Sequence, residues 1–207
     1  AHFDAWLSAI GEAQKSILLE NYIVRDDEIG RRFRDLLAER ARGGVRVCVV
    51  RDWLGCLGQS RAAFWQPLIE AGGEVRVYNP PRLDEPLSWL SRDHRKLLVV
   101  DGSVGFLSGV CLSGSWLGDQ KKNIPPWRDT GVVVRGPAIV ELLHAFAESW
   151  SHLGASLHEQ DLEADDTIAG DVHLRVIATQ PSTAGVYRLD QLIATLAKKT
   201  LWLTDAY

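Results

Sequence analysis

The chain reads as an α/β protein built on a mixed, largely parallel sheet with helices on both faces. Segments of helical apolar spacing alternate with short β-branched runs, the rhythm of parallel strands joined by helical crossovers. Runs such as 45–50 and 97–100 are nearly continuous in apolar residues, as strands buried on both faces are. Asp101-Gly102 separates two such runs, 97–100 and 104–107, so at least one hairpin interrupts the parallel order.

Taken in order, Trp6, Ala9, Ile10 and Ala13 recur at helical spacing, and residues 16–22 follow as a strand. Asp26 or Asp27 caps a second helix with Ile29, Phe33, Leu36, Leu37 and Ala41 on its apolar face; Gly43-Gly44 ends it, and 45–51 is a buried strand. Ser60 is expected to cap a third helix carrying Phe64, Leu68 and Ala71, closed by Gly72-Gly73 before a strand at 74–78. Residues 79–90 hold three prolines and form a loop entering the strand at 97–100. Ligands in such sheets gather at the carboxyl ends of strands, so this loop is expected to rim a site. Residues 112–126 are irregular, and Lys121-Lys122 there either gather an anionic head group or are simply solvated. Residues 130–134 form a strand. Pro137 takes the first position of a helix with Ile139, Leu142, Leu143, Phe146 and Trp150 on its core face.

Residues 152–170 are polar and acidic, with Glu159, Asp161, Glu163, Asp165 and Asp166 close together. No recognised ligand pattern joins them to His152 and His158, so they read as a solvated linker. The division expected is a first domain at 1–153, an acidic linker at 154–170 and a further segment at 171–207, the last with a strand at 172–179, a helix carrying Leu189, Leu192, Ile193 and Leu196, and a strand at 200–205. Aligned without gaps, residues 6–22 and 191–207 pair Ala9 with Ala194, Leu18 with Leu203, Glu20 with Asp205 and Tyr22 with Tyr207. The last segment therefore reads as the start of a second copy of the first domain.

The 207 residues carry a net charge of −4, which argues against a dedicated nucleic-acid binder. No run approaches the ~20 apolar residues of a membrane span, and no signal peptide is evident. The chain contains no methionine and begins at Ala1, so a start codon and any targeting segment are expected outside it. Cys48, Cys56 and Cys111 have no zinc-like spacing, and Cys48 reads as a small buried apolar residue.

Chemistry concentrates in Ser91-Arg92-Asp93-His94-Arg95-Lys96. On an extended chain His94 and Lys96 project from one face roughly 7 Å apart, while Arg95 points away. An imidazole beside a fixed ammonium suits phosphoryl chemistry, the ring attacking phosphorus or moving a proton while the cation offsets charge on non-bridging oxygens.

His94, Lys96 and Asp101 have the His-x-Lys-x4-Asp spacing that resembles the signature of the phospholipase D superfamily. Further stretches resemble bacterial cardiolipin synthases: Ile17-Leu18-Leu19-Glu20-Asn21-Tyr22, Ser108-Gly109, Trp127-Arg128-Asp129-Thr130, Arg135-Gly136-Pro137-Ala138, Phe146 and Trp150. The resemblance implies a phospholipase D-like repeat. It also implies a phosphatidyl transferase acting on phosphatidylglycerol or a similar phospholipid through a phosphohistidine, with no metal or cofactor. His94, Lys96 and Asp101 would be the catalytic signature, Asp101 serving turn geometry and an ion pair, and Asp129 would orient the His94 ring as a carboxylate partner. Ser108 and, weakly, Cys111 would meet the substrate phosphate; members of the family carry Gly-Gly-x-Asn where this chain has Ser108-Gly109-Val110-Cys111, and a thiol is a poor donor. The expected partners are a membrane surface, at the bacterial cytoplasmic membrane and with any anchor outside this chain, and a second histidine–lysine motif; nucleic acid is disfavoured. The resemblance takes the amino-terminal histidine as nucleophile, but one motif leaves nucleophile and acid both open for His94. A phospholipase D-like hydrolase or nuclease and a catalytically incomplete half-domain remain as alternatives.

Overall fold

The computed structural model describes residues 2–81, 84, 91–179 and 185–202, which fall into two compact units, 1–172 and 173–207. In the first, α1 (His2–Glu12), β1 (Ser16–Asn21), α2 (Glu28–Arg42), β2 (Arg46–Asp52), α3 (Ala62–Glu70) and β3 (Glu74–Tyr78) are followed by β4 (Lys96–Val100), β5 (Val104–Ser108), β6 (Gly131–Val134) and α4 (Ile139–His152). The strands form a six-stranded sheet in the order β3-β2-β1-β4-β5-β6. β1, β2 and β3 are parallel; β4, β5 and β6 each run antiparallel to the strand before them in the sheet. The sheet is mixed, with its parallel half confined to the part built by helical crossovers.

Side-chain alternation sorts the strands onto two apolar layers. Ile17, Leu19, Val47, Val49, Leu98, Val100 and Phe106 pack with Trp6, Ile10, Phe33, Leu37, Trp65 and Leu68 of the first three helices. Because β1, β2 and β3 step across the sheet in one direction, crossovers of one hand stack α2 and α3 on the same side. Leu18, Val50, Leu97 and Val99, of opposite parity, are buried along with Ile139, Leu142, Leu143, Phe146 and Trp150 of α4. α4 packs on β4 and β5, and it sits close because Gly105 has no side chain: a Cβ there would overlap Leu142.

Local signals hold with small shifts. Asp27 caps α2, its carboxylate accepting from the Gly30 amide at 3.0 Å. Ser60 does not cap α3; it is fully buried, and the residue before the helix is Arg61, whose side chain makes no cap bond. Pro137 lies in a turn ahead of α4, which starts at Ile139. The acidic run is only partly solvated. Asp161 is buried 3.6 Å from the Arg46 guanidinium and accepts from the His158 amide, and the Asp165 amide donates to the Gly102 carbonyl. A carboxylate that finds both a cation and an amide can leave water.

In the second unit residues 173–179 form no strand, and α5 (Gly185–Leu196) exposes Leu192, Ile193 and Leu196. A lone extended segment has no neighbour for its amides and carbonyls, so strand propensity at 172–179 is not realised. Residues 200–202 are likewise irregular, and the rest of the strand expected at 200–205 lies outside the described residues.

Replacing Gly105 by Val should push α4 off the sheet at a cost of about 1–3 kcal/mol, read as a lower urea midpoint. An unchanged midpoint would contradict the close seating of α4 on β5.

Candidate active site

The carboxyl ends of β1 and β2, the start of β4 and the end of β5 lie along one border of the sheet, because β4 pairs antiparallel with β1 and places Lys96 opposite Asn21, while Leu97 pairs with Leu107. His94 lies just before β4, with its side chain exposed, and Lys96 opens the strand with only 6% of its surface exposed. The Lys96 Nζ donates to the His94 carbonyl at 2.6 Å and lies 3.1 Å from His94 Nδ1. An ammonium has no lone pair, so Nδ1 accepts and the neutral ring carries its proton on Nε2. The Tyr22 ring packs on His94 with centroids 4.5 Å apart, and Lys96 Nζ lies 5.2 Å from the Tyr22 centroid. Burial, and then the neighbouring Lys96 charge, pull the His94 pKa below its ordinary value, with Asp52 opposing. Burial also lowers Lys96, while Cys111, Asp93 and Asp129 pull the other way.

Asp52 is fully buried at the end of β2. Its carboxylate accepts from the Asp93 amide at 3.0 Å and the Gly55 amide at 2.8 Å, and Arg92 Nη1 lies 3.4 Å away. This contact ties the backbone just ahead of His94 to a strand separated from β4 by β1. Arg95 projects to the opposite layer, donating to the Ala145 carbonyl at 2.7 Å and the Ser149 hydroxyl at 2.8 Å of α4. Beside it, 3.9 Å away, is Glu20, fully buried on β1. Burial, and then the adjacent Asp93 charge, push the Glu20 carboxyl well above the ordinary carboxylate range; burial also raises Asp93.

Three of the residues expected in the site are placed differently. Asp101 lies at the far end of β4 from Lys96 at φ 53°, and its carboxylate accepts from the amides of Gln14, Lys15 and Ser16 at 2.8, 2.7 and 2.9 Å. It joins the start of β1 to the hairpin, and among the described residues its partners are these amides rather than a site residue or a cation. Asp129 accepts from the Gly109 amide at 3.2 Å and makes no hydrogen bond to His94 among the described residues; its charge is felt by Lys96 instead. Gly109 is required there, since a Cβ would strike the Asp129 carboxylate. Cys111 is buried, and burial raises its thiol pKa against the pull of the Lys96 charge. Ser108 is half-buried, its hydroxyl accepting from the Val110 amide at 3.1 Å with its own proton left to donate. Much of the loop at 79–90 lies outside the described residues. Asp52 and Tyr22 border the site and Glu20 lies in the layer beneath it, although the motif does not mark them. The available signal was a carboxylate inside, or ending, an otherwise apolar strand.

Two outcomes follow from these charges. Removing the Lys96 charge with Lys96→Gln should raise the His94 pKa, and Asp52→Asn should lower it, as followed by NMR of the His94 ring; shifts of the opposite sign would contradict the geometry. Glu20 has a folded pKa above its ordinary value of 4.5, so the folded state holds the proton more tightly. The stability it contributes is present at low pH and is lost as pH rises through the folded value. Glu20→Gln should therefore gain stability relative to wild type as pH rises from about 4.5, measured by urea unfolding at successive pH values. A wild type that gained on the variant over that range would show Glu20 to be ionised.

Comparison with known proteins agrees with this architecture. The family model described as "Cardiolipin synthase, PLD-like domain" matches residues 6–150. The chain is 32% identical over 219 residues to cardiolipin synthase 1 of Bacillus anthracis, covering 99% of this chain and 42% of that protein. It is 33% identical over 218 residues to cardiolipin synthase A of Pseudomonas fluorescens, covering 100% of this chain and 43% of that protein. The chain thus spans about two-fifths of the length of the relatives it matches. The solved structure of Nuc, a phospholipase D family member from Salmonella typhimurium, shares the fold with a TM-score of 0.53 at 18% identity, over 74% of this chain and 89% of that one. On the strength of a match that takes in every strand of the sheet and the whole histidine–lysine border, the chain belongs to the cardiolipin synthase group of the phospholipase D-like domain family.

Proposed function

We propose that the protein to which this chain belongs is a phosphatidyl transferase of the cardiolipin synthase type, acting on phosphatidylglycerol. The observation that carries the reading is the convergence of the Lys96 ammonium and the His94 imidazole, 3.1 Å apart at an exposed border of the sheet. A substrate phosphate draws Lys96 off Nδ1, and the ring proton then moves from Nε2 to Nδ1, freeing Nε2 to attack. A P–N bond forms as the P–O bond to glycerol breaks, and a second histidine protonates the departing alkoxide. That second histidine next takes the proton from the hydroxyl of another phosphatidylglycerol, whose oxygen attacks the phosphohistidine to release cardiolipin and restore His94.

The second histidine comes from another motif. His144, His152, His158 and His173 have no lysine two residues on, and in this reading residues 171–207 are the opening of a second repeat, with 154–170 joining it to the first. α5 spans most of the residues that align with α1, which supports the assignment. The work takes place at the bacterial cytoplasmic membrane. Among the described residues no helix is long and apolar enough to cross a membrane, so in this reading the domain acts on the membrane surface.

Incubating the full-length protein with phosphatidylglycerol should yield cardiolipin and glycerol in equal amounts by mass spectrometry, and His94→Ala should cut turnover by at least about 10²-fold. The 207-residue chain alone should release no glycerol. Full-length protein that converted phosphatidylglycerol only to phosphatidic acid and glycerol would favour a hydrolase and overturn the transferase reading.

A further inference from the structure

Between β5 and β6 the chain builds a closed loop that displays apolar and basic side chains together. Ser113, fully buried, donates to Asp27 at 3.0 Å and anchors its base. Asp119 and Ile124 exchange backbone hydrogen bonds at 2.8 and 2.9 Å, and the Trp127 amide donates to the Trp116 carbonyl at 3.0 Å. Gly118 stands at φ 73°, where any side chain would overlap the backbone of Ile124 and Pro125. The Trp116 and Trp127 rings pack with centroids 5.4 Å apart, Trp116 against the core and Trp127 outward.

This frame displays Leu117, Ile124 and Trp127 to solvent, 52%, 47% and 66% exposed, with Lys121, Lys122 and Arg128 exposed among them. Asp119 is the only carboxylate in residues 113–128; it accepts from the amides of Lys121 and Lys122 in its own turn, and the Lys122 ammonium lies 3.5 Å from it in an exposed pair of little worth that a lipid phosphate can replace. In a chain of net charge −4, this loop is basic and tipped with a tryptophan and two aliphatic side chains. Apolar side chains, an interfacial tryptophan and cations in one rigid element match the boundary of a bilayer with anionic head groups: the apolar tips enter the acyl margin and the cations meet the phosphates. The hydrogen-bonded frame holds the tips in place beforehand, so docking orders little.

We propose that residues 115–128 dock the domain onto an anionic bilayer, with Leu117, Ile124 and Trp127 inserted and Lys121, Lys122 and Arg128 at head-group level. The loop leads directly into Asp129, whose charge acts on Lys96, so docking brings the histidine–lysine border to the height of lipid phosphates. This deepens the transferase reading and rests on it for the meaning of the site.

The test is co-sedimentation of the 207-residue chain with vesicles of phosphatidylglycerol and phosphatidylcholine in equal parts, and with phosphatidylcholine alone; thermal melts confirm that each variant is folded. Binding should be stronger to the anionic vesicles. Lys121→Glu with Lys122→Glu should weaken that binding by about tenfold or more, and Leu117→Ser with Trp127→Ser should weaken it to both vesicle types. Leu192→Ser with Leu196→Ser, on the exposed face of α5, should leave it unchanged. Loop variants that bind like wild type, or binding lost only with the α5 variant, would overturn the proposal. So would loop residues found to mediate self-association or retention on single-stranded DNA instead of vesicle binding. Because the readout is binding, full-length protein that docks through the loop but makes no cardiolipin would count against the transferase reading and leave docking standing.

Discussion

A buried ammonium must have its protons taken, and at this site that requirement falls on Lys96. Removing a cation from water costs several kcal/mol unless hydrogen bonds replace its hydration. Lys96 meets the cost with the His94 carbonyl and His94 Nδ1, next to the face of the Tyr22 ring. Both of those acceptors belong to a residue two positions earlier, so the stretch that leads into β4 must be held beside the Lys96 ammonium. Asp52 holds it there by taking the Asp93 amide from across the sheet. The imidazole that would meet a phosphate is therefore oriented by the same contact that makes the buried cation tolerable.

The alternation that sends His94 and Lys96 one way sends Arg95 the other, and this couples the site to the fold. Arg95 reaches α4 through Ala145 and Ser149, and α4 is seated by the missing side chain of Gly105. Between them the carboxyls of Glu20 and Asp93 share a buried space with a single guanidinium close by. One cation does not balance two buried carboxylates, so burial and mutual repulsion raise the pKa of Glu20, and burial raises that of Asp93.

What could be read from the residues was what local physics decides. The β1, β2 and β3 alternation, the hairpin at Asp101-Gly102 and the shared face of His94 and Lys96 follow from periodicity and turn chemistry, and they stand in the structure. Partners chosen by tertiary packing were not legible. Asp129 goes to the Gly109 amide because that glycine lets it approach. Asp101 serves three amides at the opposite end of its strand, and Cys111 is buried. Residues 173–179 have the composition of a strand but pair with no edge among the described residues of their own unit. Glu20 and Asp52 were visible as carboxylates in apolar runs, yet which charges they would meet depended on a strand order that no local signal contains.

Lys96 holds His94 in the tautomer with its proton on Nε2, and in the proposed reaction a phosphate draws the ammonium away. Nitrogen NMR of the imidazole reads that state directly, using His94→Gln to assign the signals. Without anion, Nδ1 should resonate as an unprotonated acceptor and Nε2 as a protonated donor, and inorganic phosphate should shift the proton toward Nδ1. A free protein with the proton already on Nδ1, or one whose His94 nitrogens ignore phosphate, would contradict the account.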